Sequence, residues 1–410
     1  MLPTVDTLHS GGTLHNNSAP ISRSHSSVAI GAIKSHIRHP MHKLESRSDV
    51  IRGFSPAWFV TTMGTGIVSS LLLNFPYYAP PLHSIVMHPQ QSMLLGAIPM
   101  GLGTLTNSLV LILRPYDVSW MPTLALVLWC TDVVLSVLSF LAIPFLMISN
   151  QKHVLESVNA TLLLPVVPTI VAATGGAIVA SVQNSSVATT VVIISYMLWA
   201  MGMGIAMMLT MIYFVRLVFF KLPPKETIAS AFIPLGPLGQ ASYGIQLLGE
   251  QANRLFPTEL IRIANVGSVL ESVGFIAGLM IWALAIWWFA HAIYSALHTR
   301  IHGKIPFNLG CWALIFPIGT FAASTNTLWS MTYFSFFRVF ASILIVGLSL
   351  VWVSAIAFTI CYAWTGELFK PATVVQLELQ DSVSDDSDSE EEAKGEGLER
   401  PHTTSAQLQV

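Results

Sequence analysis

Charged residues are scarce in this sequence. Only 10% of its 410 residues are Asp, Glu, Lys or Arg, whereas 53% are hydrophobic, and the mean hydropathy is +0.64. An ordinary soluble domain carries roughly 25% charged residues. Between Ser55 and Ala363 the few Lys and Arg residues separate apolar runs about 20 residues long, which is the length of a membrane span. The scarcity of charge therefore predicts an all-α polytopic membrane protein.

Patterns that hold metals or support redox chemistry are also scarce. Cys130, Cys311 and Cys361 lie within apolar runs without the spacing of a metal or redox site, so we interpret them as packing residues. His298 and His302 have the spacing of a helical metal pair, but no second histidine box accompanies them. We expect no catalytic residue, no cofactor, no metal, no enzymatic activity and no nucleic-acid partner.

Charge is concentrated in the two ends of the chain. Residues 1–52 are basic, and residues 365–410 contain an acidic serine-rich stretch that begins at Ser382. Both ends have the composition of disordered, solvated tails, which we place in the cytoplasm. The first fifty residues lack an apolar core followed by a cleavage site, so we expect no removable signal peptide. Residues 53–364 then form the transmembrane domain.

Nine apolar runs predict nine spans. Basic residues favour the cytoplasmic side of a membrane. Lys152, then Lys221 with Lys225, then Arg300 with Lys304 fall on alternate loops, which we therefore place inside. The predicted spans are Ser55 to Leu73, Gln91 to Leu113, Thr123 to Ile148, Ala160 to Val182, Val187 to Phe214, Ser230 to Leu248, Asn265 to Leu297, Phe307 to Leu328 and Phe334 to Tyr362.

The linker between the first two spans creates a conflict in this topology. The basic tail places Ser55 inside and Leu73 outside, whereas counting back from the basic loops places Gln91 inside as well. Either the N-terminus faces outward, or the polar linker crosses the bilayer, or one helix is absent from the chain. Lipid-exposed irregular backbone would leave its amides unpaired. We therefore favour the absent helix.

Alternate spans share a proline motif. FSPAWF at Phe54, IPMGLG at Ile98, LPVVPT at Leu164, IPLGPLG at Ile233 and FPIGT at Phe316 each place proline in the first part of a span. Proline inside a helix removes a hydrogen bond and opens a kink, which a membrane tolerates beside other helices or a water-filled path. Proline and glycine are common in membrane helices generally, but five motifs in alternation predict five inner helices, each followed by an outer helix.

The inner spans also carry most of the hydroxyl and amide groups and contain no Lys or Arg. They predict a polar lumen in which weak, multiple dipole contacts let a small anion pass. Phe316, the predicted gate, and Phe321 could close this lumen or could simply pack between helices. The predicted lining residues are Thr61, Thr65, Thr104, Asn107, Thr174, Gln240, Ser242 and Thr320.

Three charged residues, Asp132, Glu271 and Arg338, fall within outer spans, where charges are costly and rare. Asp132 and Arg338 are predicted to form a structural ion pair between outer helices or between subunits, with a coupling or proton role as the alternative for these residues. Glu271 is either a protonatable group or a shallow one, and the sequence leaves both possibilities open.

Seven motifs, taken in order, resemble the fungal sulfite efflux pumps. These belong to the tellurite-resistance and dicarboxylate transporter family, which also includes malate permeases and plant slow anion channels. The resemblance covers about Arg52 to Lys370, and PMG and GPLGQ favour the sulfite branch. The motifs are GFSPAWFVTTMGTGI from Gly53, NFPYYAPPLHSI from Asn74, IPMGLGTLTN from Ile98, LWCTDVVLS from Leu128, PLGPLGQASYG from Pro234, FPIGT from Phe316 and FRVFASIL from Phe337.

The resemblance implies five helical hairpins in quasi-fivefold arrangement, with ten spans, a central pore and commonly a homotrimer. It implies a multi-pass plasma-membrane exporter of sulfite or bisulfite, in which a phenylalanine in an FP context, here Phe316, closes the pore. The alternatives are a malate-type dicarboxylate carrier or passive anion channel of the same family and, outside transport, a receptor or an enzyme. Here LHSI from Leu82 runs almost directly into the PMG helix, so we predict that the outer second helix is missing and that nine spans remain.

Overall fold

The computed structural model describes residues 87, 89–256, 263–303, 305–307 and 309–364, all within one compact unit. These residues form nine α-helices, with no β-strand among them. The two tails, the first predicted span and most of the linker after it lie outside the described residues. The helices are α1 (Pro89–Leu94), α2 (Ala97–Leu113), α3 (Met121–Ser149), α4 (Val167–Ala180), α5 (Ser185–Phe220), α6 (Leu235–Leu255), α7 (Val266–Ile301), α8 (Ile315–Thr332) and α9 (Ser335–Trp364).

Buried and exposed helices alternate along the chain. All fourteen residues of α4 are buried, and α2, α6 and α8 are also largely buried. In α3, α5, α7 and α9, by contrast, only 17–28% of the most apolar stretch is buried, as expected of helices that face lipid. The described residues contain five stretches long and apolar enough to cross a membrane, namely Ser92–Tyr116, Met121–Ser149, Ser185–Phe220, Val266–Ile301 and Ser335–Tyr362. The chain is therefore a helical, multi-pass membrane protein.

The inner prolines begin helices instead of kinking them. Pro99, Pro168, Pro237 and Pro317 lie within the first three residues of α2, α4, α6 and α8. The first N–H groups of a helix have no acceptor within it, so proline costs no hydrogen bond there. The predicted kinks are therefore wrong at these four positions. The helices α4, α6 and α8 instead follow 3-10 segments at Ala160–Leu163, Lys225–Phe232 and Leu309–Leu314.

The inner helices stand side by side, and the outer helices surround them. Helix α4 packs against α2 and α6, and α6 packs against α8. Each outer helix contacts the inner helix that precedes it, forming the hairpins α2–α3, α4–α5, α6–α7 and α8–α9. The described part of the chain thus supplies four of the five predicted hairpins.

Glycines bring α6 and α7 into backbone contact. A β-carbon at Gly274 would lie 2.7 Å from the carbonyl oxygen of Ile245, and one at Gly267 would lie 2.7 Å from the carbonyl oxygen of Phe256. Small residues at such positions let membrane helices approach closely. This hairpin therefore depends on the absence of side chains at its contacts.

Candidate functional site

Tryptophans on outer helices anchor the inner helices. The indole N–H of Trp129 on α3 donates to the carbonyl of Ala172 on α4 at 2.8 Å. The indole N–H of Trp199 on α5 donates to the carbonyl of Ala241 on α6 at 2.9 Å. Each outer helix thus fixes the inner helix that follows it.

The next outer helix, α7, repeats this contact with one added hydroxyl. Trp282 on α7 donates to the hydroxyl of Thr325 on α8 at 2.8 Å, and that hydroxyl donates to the carbonyl of Phe321 at 2.7 Å. In all three contacts the final acceptor is the fourth residue after an inner proline. The three prolines are Pro168, Pro237 and Pro317. Sequence analysis missed these anchors, although the regular spacing of tryptophan and proline could have revealed them.

Removing an anchoring N–H should destabilise the fold. Trp129→Phe keeps an aromatic ring but leaves the carbonyl of Ala172 without its indole donor, so we expect a loss of about 1–3 kcal/mol. Thermal unfolding in detergent measures this loss. Trp287→Phe on the exposed face of α7 is the matched control and should change stability little. Equal losses in both variants would contradict the anchoring role.

The predicted lining threonines lie where inner helices meet. Thr174 donates to a carbonyl of its own helix at 3.0 Å and lies 3.4 Å from the carbonyl oxygen of Gln240 on α6. Thr320 likewise donates within α8 at 3.0 Å and lies 3.4 Å from the carbonyl oxygen of Gly236. Thr104 donates to a carbonyl of α2. These hydroxyls donate to backbone carbonyls, and their part in a lumen stays a prediction.

Ser242 contacts both an outer and an inner helix, and its place in a lumen stays a prediction. Its hydroxyl donates to the carbonyl of Gly278 on α7 at 2.7 Å and lies 2.6 Å from the hydroxyl of Ser324. The side-chain amide of Gln246 donates to both hydroxyls, at 3.0 and 3.2 Å. A buried hydroxyl needs an acceptor, and the backbone at Gly278 supplies one. This network joins α6, α7 and α8.

The two phenylalanines of the last inner span have different surroundings. Phe316 is only 2% exposed, and two of its ring carbons would lie 3.5 Å from a β-carbon built on Gly236 of α6. Phe321 instead stacks on Trp282 at 5.8 Å and packs against Phe340 on α9. Phe321 is therefore a packing residue between helices. Phe316 faces a neighbouring inner helix, and its role as a gate stays a prediction.

The predicted ion pair is not brought together within the chain. Asp132 is 1% exposed, and one carboxylate oxygen accepts from the hydroxyl of Ser136 at 3.3 Å. Arg338 is exposed, with its guanidinium carbon 5.8 Å from the ring centroid of Trp329. The two side chains do not meet, because α3 turns Asp132 toward the inner helices while Arg338 lies on the exposed side of α9.

Other predicted polar residues lie away from the inner helices' centre. Glu271 accepts from the side-chain amide of Asn253 at 2.7 Å near the start of α7, which agrees with a shallow position. The rings of His298 and His302 stack at 4.2 Å near the other end of that helix. Thr61 and Thr65 lie outside the described residues.

One inner helix carries a cation that sequence analysis did not assign to it. Helix α6 runs beyond the predicted end of its span at Leu248 and includes Arg254. Its guanidinium donates to the carbonyl of Ala180, at the end of α4, at 2.8 Å. Arg254 therefore satisfies a helix end on the side that the basic loops predict to be outside.

A cavity of about 390 Å³ opens at the opposite end, beside the loop between α3 and α4. It also touches the start of α1, at Pro89 and Met93. Its polar lining provides an ammonium, an imidazole, hydroxyls and an amide, a set that suits a small anion. These residues are Lys152, His153, Ser157, Asn159 and Thr161.

All four described inner helices begin on this same side, which the basic loops predict to be inside. A helix N-terminus carries roughly half a positive charge, and interrupted membrane helices often direct such ends toward anionic substrates. Because 3-10 segments occupy the first part of the predicted spans before α4, α6 and α8, these helix ends lie partway along their spans. These helix ends can therefore stabilise a bound anion without a positively charged side chain.

Comparison with known proteins agrees with this geometry. Residues 81–360 match the family described as voltage-dependent anion channel. The sulfite efflux pump of Arthroderma benhamiae is 32% identical, covering 80% of this chain and 96% of that protein. The sulfite efflux pump of Candida albicans is 30% identical, covering 68% and 66%. The malic acid transport protein of Schizosaccharomyces pombe is 21% identical, covering 75% and 77%.

The alignment with the Arthroderma benhamiae protein also shows a difference in length. It runs over 364 residues, but 80% of this chain's 410 residues is about 328. The relative therefore has about 36 residues with no counterpart in this chain, enough for one span of about 20 residues and a loop. The difference has the size of the predicted missing outer helix, whose expected place lies in the linker outside the described residues.

Proposed function

Since the chain belongs to the voltage-dependent anion channel family, we propose that it is a sulfite efflux transporter of the plasma membrane. It moves sulfite or bisulfite outward through the space between the inner helices and so confers tolerance to sulfite. The observation that carries this proposal is the common polarity of those helices, whose N-termini all begin at the side of the basic loops.

The geometry supports an anion pathway in two steps. Lys152 and His153 line the inside cavity, where they attract an anion at the entrance. Within α2, α4, α6 and α8 the only Lys or Arg is Arg254, which lies near the opposite end of α6. An anion beyond the entrance meets dipoles instead of fixed charges, so it is bound weakly enough to leave.

The substrate assignment follows from the relatives. The two sulfite efflux pumps are 30–32% identical to the chain, whereas the malic acid transport protein is 21% identical. That second similarity makes a C4-dicarboxylate carrier the alternative substrate assignment. A passive anion channel is the alternative mechanism, and both stay within one family.

The proposal includes the domain boundaries and the assembly. Residues 53–364 form the transporter, flanked by cytoplasmic tails at 1–52 and 365–410. Broad apolar faces of α3, α5, α7 and α9 are exposed, and they would contact lipid or a second copy of the chain. By the resemblance noted above, we propose a homotrimer with one pore in each subunit.

Expression in sulfite-sensitive yeast tests the proposed function. We expect growth on sulfite to be restored, because outward transport lowers the internal concentration. A matched form with an apolar helix inserted between His83 and His88 tests whether the missing span limits activity. Growth restored by neither form, although both reach the plasma membrane, would overturn the sulfite assignment. Malate uptake by the same cells would favour the dicarboxylate carrier.

A further inference from the structure

The carboxyl group of Asp132 lies in the wall formed by two inner helices. Asp132 is on the outer helix α3, yet it is only 1% exposed. One of its carboxylate oxygens, Oδ2, lies 2.7 Å from where a β-carbon on Gly103 of α2 would be. The same β-carbon would lie 2.9 Å from Val171 of α4. The carboxyl group therefore occupies the junction of α2, α3 and α4.

Two buried acceptors in this wall have no hydrogen-bond partner. The Oδ2 atom of Asp132 accepts no hydrogen bond, and its Oδ1 atom accepts only from Ser136, at 3.3 Å. The amide oxygen of Asn107, one helical turn beyond Gly103, is also buried without a donor. Buried oxygens are nearly always hydrogen bonded. A proton on Oδ2 would neutralise the carboxylate and make that oxygen a donor.

Among the described helices packed around Asp132, no cation compensates the carboxylate. Helices α2 and α4 contain no Lys, Arg, His, Asp or Glu, and α3 contains only Asp132. Helix α5 packs in one cluster with the neighbouring Val133 and Val137. An unpaired buried carboxylate costs several kcal/mol, so the group needs a cation of its own. The cation on α5, Arg216, donates to the carbonyls of Glu156 and Lys221 instead. The other ionisable side chains on α3 and α5 are Cys130, Tyr196 and Tyr213.

The space at the carboxyl group suits a proton better than a metal ion. Hard metal cations require about six oxygen ligands. Here Oδ2 lies against Gly103, which leaves no room for a coordination shell. A proton needs no shell, and it turns the carboxyl from an acceptor into a donor.

We propose that Asp132 carries a proton whose uptake and release couple anion movement to the proton gradient. This role rests on the proposed transport function. Because the carboxyl group lies directly behind Gly103, a shift of α2 relative to α4 would expose it and allow the proton to exchange. The buried arrangement is then the occluded, proton-loaded form.

Proteoliposomes containing the whole chain test this proposal with radiolabelled sulfite. The membrane potential is clamped, both compartments are alkaline so that neutral SO₂ is negligible, and the leak of protein-free liposomes is subtracted. If one proton is exchanged for each anion, as outward transport driven by inward proton flow requires, a gradient of about one pH unit supports up to about tenfold accumulation on the more acidic side. Passive movement of bisulfite would instead accumulate sulfite on the more alkaline side. We expect accumulation by the wild-type chain and by the control Glu271→Gln, but none by Asp132→Asn.

Three results would overturn the proposal, and they differ in what else they imply. If the wild-type protein equilibrates sulfite without accumulating it, Asp132 does not couple transport to protons, but the proposed transport function is still supported. Wild-type levels of accumulation by Asp132→Asn would show that another group carries the proton. If the wild-type chain moves no sulfite, the proposed function fails as well. The two wild-type results do not depend on whether the variant folds.

Discussion

Phe316→Ala is expected to raise the anion conductance of the chain about tenfold or more. The ring is buried at the start of α8 and lies against Gly236 of the neighbouring inner helix. If Phe316 is the gate, as we predict, the ring fills space that an anion crosses. Removing an obstacle of roughly 1.4 kcal/mol is enough for a tenfold change in rate. Currents across a planar lipid bilayer at matched protein density measure the effect.

Phe321→Ala is the matched control on the same helix. Its ring packs among Trp282, Phe289 and Phe340 of outer helices, so removing it should cost about 3–5 kcal/mol of stability without opening a path. Unchanged or lower current in correctly inserted Phe316→Ala would exclude Phe316 as the gate. Equal increases in both variants would instead indicate general loosening of α8.

Gly274→Val should prevent the hairpin of α6 and α7 from forming. Its β-carbon would lie 2.7 Å from the carbonyl oxygen of Ile245 and 3.4 Å from the α-carbon of Gly249. Backbone atoms cannot rotate away as a side chain can, so the helices would have to separate. We expect a loss above about 4 kcal/mol, beyond what most single substitutions cause. Size-exclusion elution and thermal unfolding in detergent detect this loss.

Gly347→Val on α9 provides the control for steric contact. A β-carbon there meets no atom within 4 Å, so the variant should fold with nearly wild-type stability. If Gly274→Val unfolds at the same temperature as Gly347→Val, the close approach of α6 and α7 does not support the fold.

The helices could be predicted well because a spanning run of apolar residues is a strong signal. The span predicted at Thr123 to Ile148 corresponds to α3 at Met121–Ser149. The span predicted to end at Phe214 continues to Phe220, because Arg216 can stay within α5 by donating to loop carbonyls. The alternation of inner and outer helices was also predictable from the proline motifs.

The direction of individual side chains could not be predicted in the same way. Ser242 is a hydroxyl residue of an inner span, like the predicted lining threonines, yet the rotation of α6 turns its hydroxyl toward Gly278. Asp132 and Arg338 have complementary charges, but only the packing of α3 shows that Asp132 faces inward. The prolines correctly marked where the inner spans are interrupted. They begin α-helices there instead of kinking them, because 3-10 segments precede α4, α6 and α8. Hydrophobic patterning specifies which faces are buried and leaves the partners of polar groups open.

Release of sulfite from vesicles most directly tests the claim that the inner helices form an anion pathway. Proteoliposomes containing the purified chain are loaded with radiolabelled sulfite, and a parallel set is loaded with radiolabelled malate. We expect sulfite to leave much faster than from protein-free vesicles, faster still with Phe316→Ala, and malate to remain inside. No protein-dependent release of sulfite, or release of malate alone, would contradict the account.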